Sequence, residues 1–188
     1  MKKKTVALLL SLVLVFGVVA GGTFAWLTAK SAVVTNTFTY GDINIGLEES
    51  TGNDYTIIPG VDIAKDPKVT VAVNSEACWL FVKVVKTGTF VANKVTYEIA
   101  DGWTLVPGQT DVYYRQVSAT GTTPAVFNVL KGEGTGALAN GVIKVSSELT
   151  KTDIKDIGNP TLTFTAYAVQ QAGFATAEAA WVEAAKLG

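Results

Sequence analysis

Histidine is absent from the chain, and its absence excludes most familiar catalytic sites. An HExxH zinc site, a serine–histidine or cysteine–histidine nucleophile and an imidazole general base all need this residue. Carboxylates remain in loose groups, and such groups can hydrolyse glycosides or bind calcium. The groups are Glu48, Glu49 and Asp54; Asp62 and Asp66; and Asp153 and Asp156. Since no D-x-D-x-D loop is present, we interpret them as solvated loop charges and predict no catalytic residue, cofactor or metal.

Three further features favour a structural interpretation. Glycines at 132, 134 and 136 match a dinucleotide loop only loosely, because no strand and helix flank them in the required order, and we predict a flexible loop. The one cysteine, Cys78, lies in an apolar run and is predicted to be an inert core thiol. Neighbouring residues of a strand point to opposite faces, so the aromatic residues favour core packing over a sugar-stacking surface. These aromatic residues are Trp79, Phe81, Trp103, Tyr113 and Tyr114.

Alternation of apolar and polar residues predicts the strands that position these groups. The predicted strands are residues 42–47, 69–73, 95–99, 111–117, 141–146 and 162–168. Residues 78–85 are apolar on both faces, which is typical of a central, fully buried strand. Turn signals such as Pro59-Gly60 and Asn140-Gly141 separate the runs. The pattern predicts an all-β fold, an antiparallel jelly-roll or Greek-key β-sandwich.

Two short helices are expected beside the strands. Thr150 and Asp153 form a T-x-x-D start, and a glycine and a proline at 158 and 160 end the segment. The second predicted helix is C-terminal, at residues 176–187, with Thr176 as its N-cap. Its apolar stripe of Ala177, Trp181 and Ala184 is expected to dock on the sandwich.

The N-terminus has the order of a secretory signal peptide. Lysines at 2–4 precede an apolar run at 6–20, which is shorter than the roughly 18–20 residues of a permanent membrane span. We place cleavage between Ala25 and Trp26, where small residues flank the site. A cut after Ala20 and an uncleaved membrane anchor remain as alternatives. The sequence therefore predicts a signal peptide at 1–25 and a secreted protein.

The mature chain is predicted to be one domain, residues 38–188, preceded by an arm. The chain of 188 residues has 15 basic and 16 acidic residues, and loss of the three lysines leaves a net charge of −4. A weakly acidic domain without a basic stripe is a poor nucleic-acid partner. The arm, residues 26–37, lacks a sustained hydrophobic period. We interpret it either as a frayed terminus or as a strand that adds to another sheet.

Several stretches resemble one family, the TasA/camelysin-like secreted proteins of Gram-positive bacteria. The G-G-T-F-A-W segment at 21–26 resembles the end of that family's signal peptide, and N-T-F-T-Y-G-D-I-N-I-G-L at 36–47 resembles the strand that follows it. Residues 58–60, 65–71, 163–170 and 176–181 continue the resemblance over most of the chain.

The resemblance implies a structural protein of the cell surface or biofilm matrix. Family members form extracellular fibres by donor-strand complementation, so the implied partners are further copies of the chain, head to tail, and a signal peptidase of the SipW type. Other matrix proteins or the cell wall are further candidate partners. The arm residues implied in self-assembly are Trp26, Leu27, Ala29, Val33, Val34 and Phe38.

Two other functions are kept beside this one. The same sandwich could serve as a monomeric secreted adhesin or glycan-binding module. A camelysin-like peptidase is disfavoured because the chain has no histidine and no recognisable set of zinc ligands.

Overall fold

A computed structural model describes residues 41–52, 54–88, 94–157 and 160–187, together with residues 3, 6 and 7. From Ile45 on, the described elements belong to one compact unit, Tyr40–Gly188. The strands are β1 (Ile45–Glu48), β2 (Ile63–Ala64), β3 (Lys68–Val71), β4 (Cys78–Thr87), β5 (Val95–Tyr97), β6 (Thr104–Leu105), β7 (Val112–Val117), β8 (Ala125–Asn128), β9 (Val142–Val145) and β10 (Thr161–Gln170). The α-helices are α1 (Lys151–Ile157) and α2 (Ala177–Ala184), and 3-10 helices span Gly136–Asn140 and Ala185–Leu187.

The strands form three antiparallel sheets. Their orders are β10-β4-β7-β6, β1-β3-β8 and β2-β9-β5. The two three-stranded sheets meet just beyond β5 and β8, where Ile99 and Leu130 form an isolated bridge. Most neighbours in the sheets are distant in sequence, as in jelly-roll and Greek-key folds. The predicted antiparallel β-sandwich with short helices is confirmed.

Strand β4 is the centre of the molecule and is buried on both faces, as predicted. On its inner face Leu80 and Val82 pack with Val69 and Val71 of β3, and all four are fully buried. On its outer face Phe81 is also fully buried, in a second cluster that includes helix α2. The sandwich therefore has a core between its sheets and a second core outside the four-stranded sheet.

Helix α2 covers the outer face as its apolar stripe predicted. Thr176 caps the helix by accepting a hydrogen bond from the backbone N–H of Ala179 at 3.3 Å. Ala177, Trp181 and Ala184 are all buried. The Trp181 ring lies 5.4 Å from that of Phe81, centroid to centroid, and meets Tyr167 edge-on. One tryptophan thus anchors the C-terminal helix to the sheet.

Helix α1 begins with the capping pair that the sequence predicted. The backbone N–H of Asp153 donates to Thr150 Oγ1 at 3.2 Å, and the backbone N–H of Thr150 donates to the Asp153 carboxylate at 2.8 Å. Lys94 also donates to Asp153, at 2.8 Å. The reciprocal bonds satisfy helix-start donors that would otherwise have no partner.

Two details depart from the predicted strands. No sequence pattern predicted strands β2, β6 and β8, which are two to four residues long. Val73 was predicted to share a buried face with Val69 and Val71, and this is wrong because β3 ends at Val71. Val73 lies in a turn with Asn74, whose φ is +58°, and its side chain is 42% exposed. Cys78 is fully buried, and burial raises its pKa to about 11, so the predicted core thiol is confirmed.

No helix within the described ranges has the length and apolar character needed to cross a bilayer.

Candidate functional site: the two edges of the sandwich

All residues predicted for signal cleavage or self-assembly lie outside the described part of the chain. They are Ala25, Trp26, Leu27, Ala29, Val33, Val34 and Phe38. The described domain instead shows what surfaces are open to pairing. Its two lateral edges differ, and we call them the β1/β10 seam and the β6/β8 seam.

The β1/β10 seam begins with an edge strand of ten residues. Strand β10 pairs along its whole length with β4, from Thr161–Thr87 to Gln170–Cys78. The N–H of Gln171 donates to the carbonyl of Ala77, which fixes the alternation of the ladder. The backbone groups that point away from β4 therefore belong to Leu162, Phe164, Ala166, Ala168 and Gln170. Among the described residues these groups have no backbone hydrogen-bond partner, so β10 is an open edge.

The side chains of this seam are apolar and incompletely covered. Strand β1 lies beside β10 and contributes Ile45 and Leu47 on the side of the core, and Ile43, which precedes the strand, packs there as well. Ile43 and Ile45 are half-buried, and Leu47 is 37% exposed although it pairs with the fully buried Val69. The inner side chains of β10 are half-buried as well; they are Leu162, Phe164, Ala166 and Ala168. Apolar side chains at the margin of the inner core are thus partly exposed along this seam.

A buried polar cluster fixes the loop that follows β1. The Asp66 carboxylate is 3% exposed and accepts hydrogen bonds from the backbone N–H groups of Ser50 and Thr51, at 2.9 and 3.0 Å, and from Ser50 Oγ at 2.6 Å. Burial acts to raise the pKa of Asp66, but these hydrogen bonds outweigh it and hold the pKa well below its usual range. Beside it, the buried Lys65 pairs with Glu49 at 2.5 Å. The end of β1 is therefore held by charged hydrogen bonds.

The β6/β8 seam, on the opposite side, is tied across. Strand β6 has two residues, and the indole Nε1–H of Trp103, just before it, donates to the carbonyl of Asn128 at 2.8 Å. Beyond β8 the N–H of Ala100 donates to the carbonyl of Val129. These bonds satisfy the carbonyls of Asn128 and Val129, whereas the backbone groups of Val126 have no backbone partner among the described residues.

The carboxylates of the sequence groups do not converge on one site. Asp62 pairs with Lys144 at 3.6 Å, Glu49 with Lys65, and Asp153 with Lys94. Within the described ranges no three of the Asp, Glu and Cys side chains are placed to share a metal ion. Asp66 is 3% exposed and is a fixed structural charge, so the prediction that it is a solvated loop charge is wrong for this residue.

The aromatic residues are core residues, as favoured from the sequence. Trp79, Phe81 and Trp103 are at most 9% exposed, and Tyr113 and Tyr114 point to opposite faces of β7. The glycine-rich stretch contains the 3-10 helix Gly136–Asn140, and a Cβ at Gly132 would lie 2.0 Å from the Ala139 carbonyl oxygen. Sequence reasoning missed the polar cluster around Asp66, although a Lys-Asp pair before a strand was a visible signal.

Searches with protein-family models, among curated proteins and among solved structures found no match to this chain.

Proposed function

We propose that this protein is a secreted, non-catalytic structural protein of the cell surface or biofilm matrix, related to the TasA/camelysin-like proteins. Its copies assemble head to tail into fibres by donor-strand complementation. The arm at residues 26–37 of one copy adds to the β1/β10 seam of the next. The observation that carries this proposal is the ten-residue open edge of β10 above an incompletely covered core.

Backbone chemistry supports an extended segment as the occupant of this seam. An incoming strand would find unpaired N–H and C=O groups on alternate residues of β10. Each hydrogen bond that forms contributes about 0.5–1.5 kcal/mol net, and the contributions repeat along the edge. An edge of this length without a strand breaker is one that soluble proteins usually protect.

Side-chain size supports the same occupant. Ala166 and Ala168 are the smallest inner residues of β10, and they lie between the half-buried Phe164 and the end of the strand. Small residues on an open edge leave space for larger side chains from a partner. The arm offers such residues, among them Leu27, Val33 and Val34. Covering Leu47 and its neighbours would remove apolar surface from water, at about 25 cal/mol per Å².

The lengths of arm and edge also agree. Residues 26–37, fully extended, span about 40 Å, and the ten residues of β10 span about 33 Å. The arm is therefore long enough to cover the whole edge. Because the arm and the seam are different surfaces of one chain, the contact is head-to-tail and propagates as an open filament.

Cleavage after Ala25 would make assembly depend on secretion. An arm still joined to a membrane-inserted segment could not reach the seam of a neighbour, whereas an arm that begins at Trp26 could. The proposed role for a SipW-type signal peptidase is thus to release the arm.

Negative-stain electron microscopy of the mature chain, beginning at Trp26, tests the proposal. We expect filaments from the mature chain and none from a chain that begins at residue 38. Adding a synthetic peptide of residues 26–37 to the shortened chain should raise its melting temperature, because the peptide fills the seam.

A scrambled peptide of the same composition is the control for that addition and should leave the melting temperature unchanged. If the mature chain stays monomeric at high concentration with its arm intact, the fibre proposal is wrong. The monomeric adhesin would then be the better hypothesis.

A further inference from the structure

A lone arginine lies inside the β6/β8 seam. Arg115 is the only arginine among the 15 basic residues of the chain, and all the others are lysines. It pairs across the sheet with Leu80, whose side chain lies in the inner core. Since directly paired residues point to the same face, the Arg115 side chain also enters the space between the sheets.

Two aromatic rings and a glycine form a place for its guanidinium. The Cζ of Arg115 lies 3.7 Å from the ring centroid of Phe127, on β8, and 5.3 Å from that of Trp103. Gly102 has a φ of +85°, and a Cβ at this position would lie 3.0 Å from Nη2 of Arg115. The absence of a side chain at Gly102 therefore leaves room for the guanidinium.

No acid neutralises this arginine within the described part of the chain. Arg115 is in none of the ion pairs or side-chain hydrogen bonds described there, and its Nε is buried without a partner. Lysines 65, 68, 94, 131, 144 and 186 each pair with a carboxylate. A half-buried cation with an unsatisfied N–H is unusual in a native fold and needs an explanation.

We propose that Arg115 binds a carboxylate carried by an extended peptide segment of a partner protein. Arginine presents paired N–H donors that fit both oxygens of a carboxylate, and its flat group stacks on aromatic rings, whereas lysine offers a point charge. Phe127 and Trp103 hold one such flat group in a fixed orientation. The site is thus built for a planar anion and not for a diffuse negative surface.

The surroundings favour a peptide over a sugar acid. Leu105, on β6, is 43% exposed and pairs with Tyr113, whose side chain packs against the inner core, so an apolar side chain lies beside the site. The N–H of Val129 donates to the carbonyl of Pro67, so the backbone groups of alternate residues of β8 bond to β3. The N–H and C=O of Val126 therefore point away from β3 and can pair with a peptide. Trp103 is only 9% exposed and offers no open face on which a sugar ring could stack.

Nuclear magnetic resonance gives a direct readout, because one arginine gives one Nε–Hε signal. The sample is the ¹⁵N-labelled mature chain, below the concentration at which any filaments form. The probes are an acetylated and amidated TVEVT peptide, the matching TVQVT peptide, and glucuronate. We expect the Arg115 signal to shift saturably with TVEVT, and the TVQVT peptide to bind at least ~10-fold more weakly, because it lacks the charge.

Two variants separate recognition from packing. Arg115→Lys keeps the charge and the cation–π contact but loses the paired donors, so TVEVT should bind it roughly 10-fold more weakly, as followed by backbone signals. Lys86→Gln is the matched control, since Nζ of Lys86 also lies over an aromatic ring, 5.5 Å from the ring centroid of Tyr97. Removal of this lysine should leave the affinity for TVEVT unchanged.

Three outcomes would overturn the proposal. They are no shift with TVEVT, equal shifts with both peptides, and a shift with glucuronate alone, which would indicate a glycan carboxylate instead. The comparison of peptides needs only the unmodified chain, so it remains decisive if Arg115→Lys fails to fold. It is also independent of filament formation at the β1/β10 seam.

Discussion

The two seams of the sandwich differ in how well their sheet edges are protected against pairing with another strand. At the β6/β8 seam the edge strand has two residues, an indole ties the sheets together, and a charged side chain points inward. Short edges and inward charges both discourage pairing with another strand. At the β1/β10 seam the edge strand has ten residues, and its inner side chains are apolar.

Exposed apolar side chains do not by themselves identify a surface that pairs with another strand. Both seams expose apolar residues, for example Leu105 at one and Leu47 at the other. In the part of the chain that the structure describes, the β1/β10 seam combines apolar side chains with a long row of backbone groups that have no partner, and the β6/β8 seam does not. The β6/β8 seam offers a cation in a fixed orientation, which fits one carboxylate better than a whole strand.

A charge at the β1/β10 seam should have the largest effect. In Ala166→Lys a donor strand would bury the lysine ammonium, and this charge would have no partner. We expect a cost of about 3 kcal/mol. Filament formation should therefore need a roughly 100-fold higher protein concentration. Thr165→Lys is the matched control, because the neighbouring side chain is exposed on the outer face. Sedimentation assays over a concentration series measure the protein concentration at which each variant forms filaments. Equal effects of the two variants would show that the seam is not where copies meet.

Loosening the outer core should weaken the fold and spare both seams. Trp181 is 9% exposed and packs on Phe81 and Tyr167, so Trp181→Ala should lower the free energy of unfolding by about 3 kcal/mol. Val182, its neighbour in α2, is 64% exposed, and Val182→Ala should change the free energy of unfolding by less than about 0.5 kcal/mol. Urea denaturation provides the measurement.

At temperatures where Trp181→Ala stays folded, filaments and the response of Arg115 to TVEVT should both persist. Loss of either would mean that helix α2 supports a seam across the sheet, contrary to the separation of inner and outer cores.

Much of the sandwich was predictable because its signals are local. Alternation located β10, double-sided hydrophobicity located β4, and the caps at Thr150 and Thr176 located the helices. The short strands β2, β6 and β8 were missed because two to four residues carry too few periods for a pattern, and their pairing is set by distant partners. Their positions follow from tertiary packing rather than local preference.

The seams were less predictable than the strands. Sequence shows that Leu162, Phe164, Ala166 and Ala168 share a face, but not that β10 is an edge, since this depends on strand order. The single arginine at 115 was visible as a composition signal. Its surroundings are formed by residues far apart in the chain, such as Gly102 and Phe127, and no local pattern predicts that the described residues place no acid beside it.

The tie across the β6/β8 seam should contribute measurably to stability. Trp103→Phe removes the 2.8 Å hydrogen bond to the carbonyl of Asn128 and leaves that carbonyl without its donor, at a cost of about 1–2 kcal/mol beyond the lost ring volume. Trp79→Phe loses a similar volume but only a weak contact, 3.4 Å from Nε1 to the Phe174 carbonyl, and serves as control. Urea midpoints compare the two. If Trp79→Phe costs as much, ring volume and not the tie dominates.

Acid should act on the β1/β10 seam through Asp66, and this is the smallest effect we expect. Although burial opposes it, hydrogen bonds from Ser50 and Thr51 hold the pKa of Asp66 below its unfolded value, which is about 3.9. A lowered folded-state pKa stabilises the fold above the unfolded pKa, and the contribution is lost as the pH falls below about 4 toward the folded-state pKa. The difference in unfolding free energy between the unmodified chain and Asp66→Asn should therefore be constant from about pH 5 to pH 7 and shrink below about pH 4. Asp54, which is exposed, provides the control Asp54→Asn. A difference for Asp66→Asn that does not change with pH would mean that the charge of Asp66 does not hold the loop after β1.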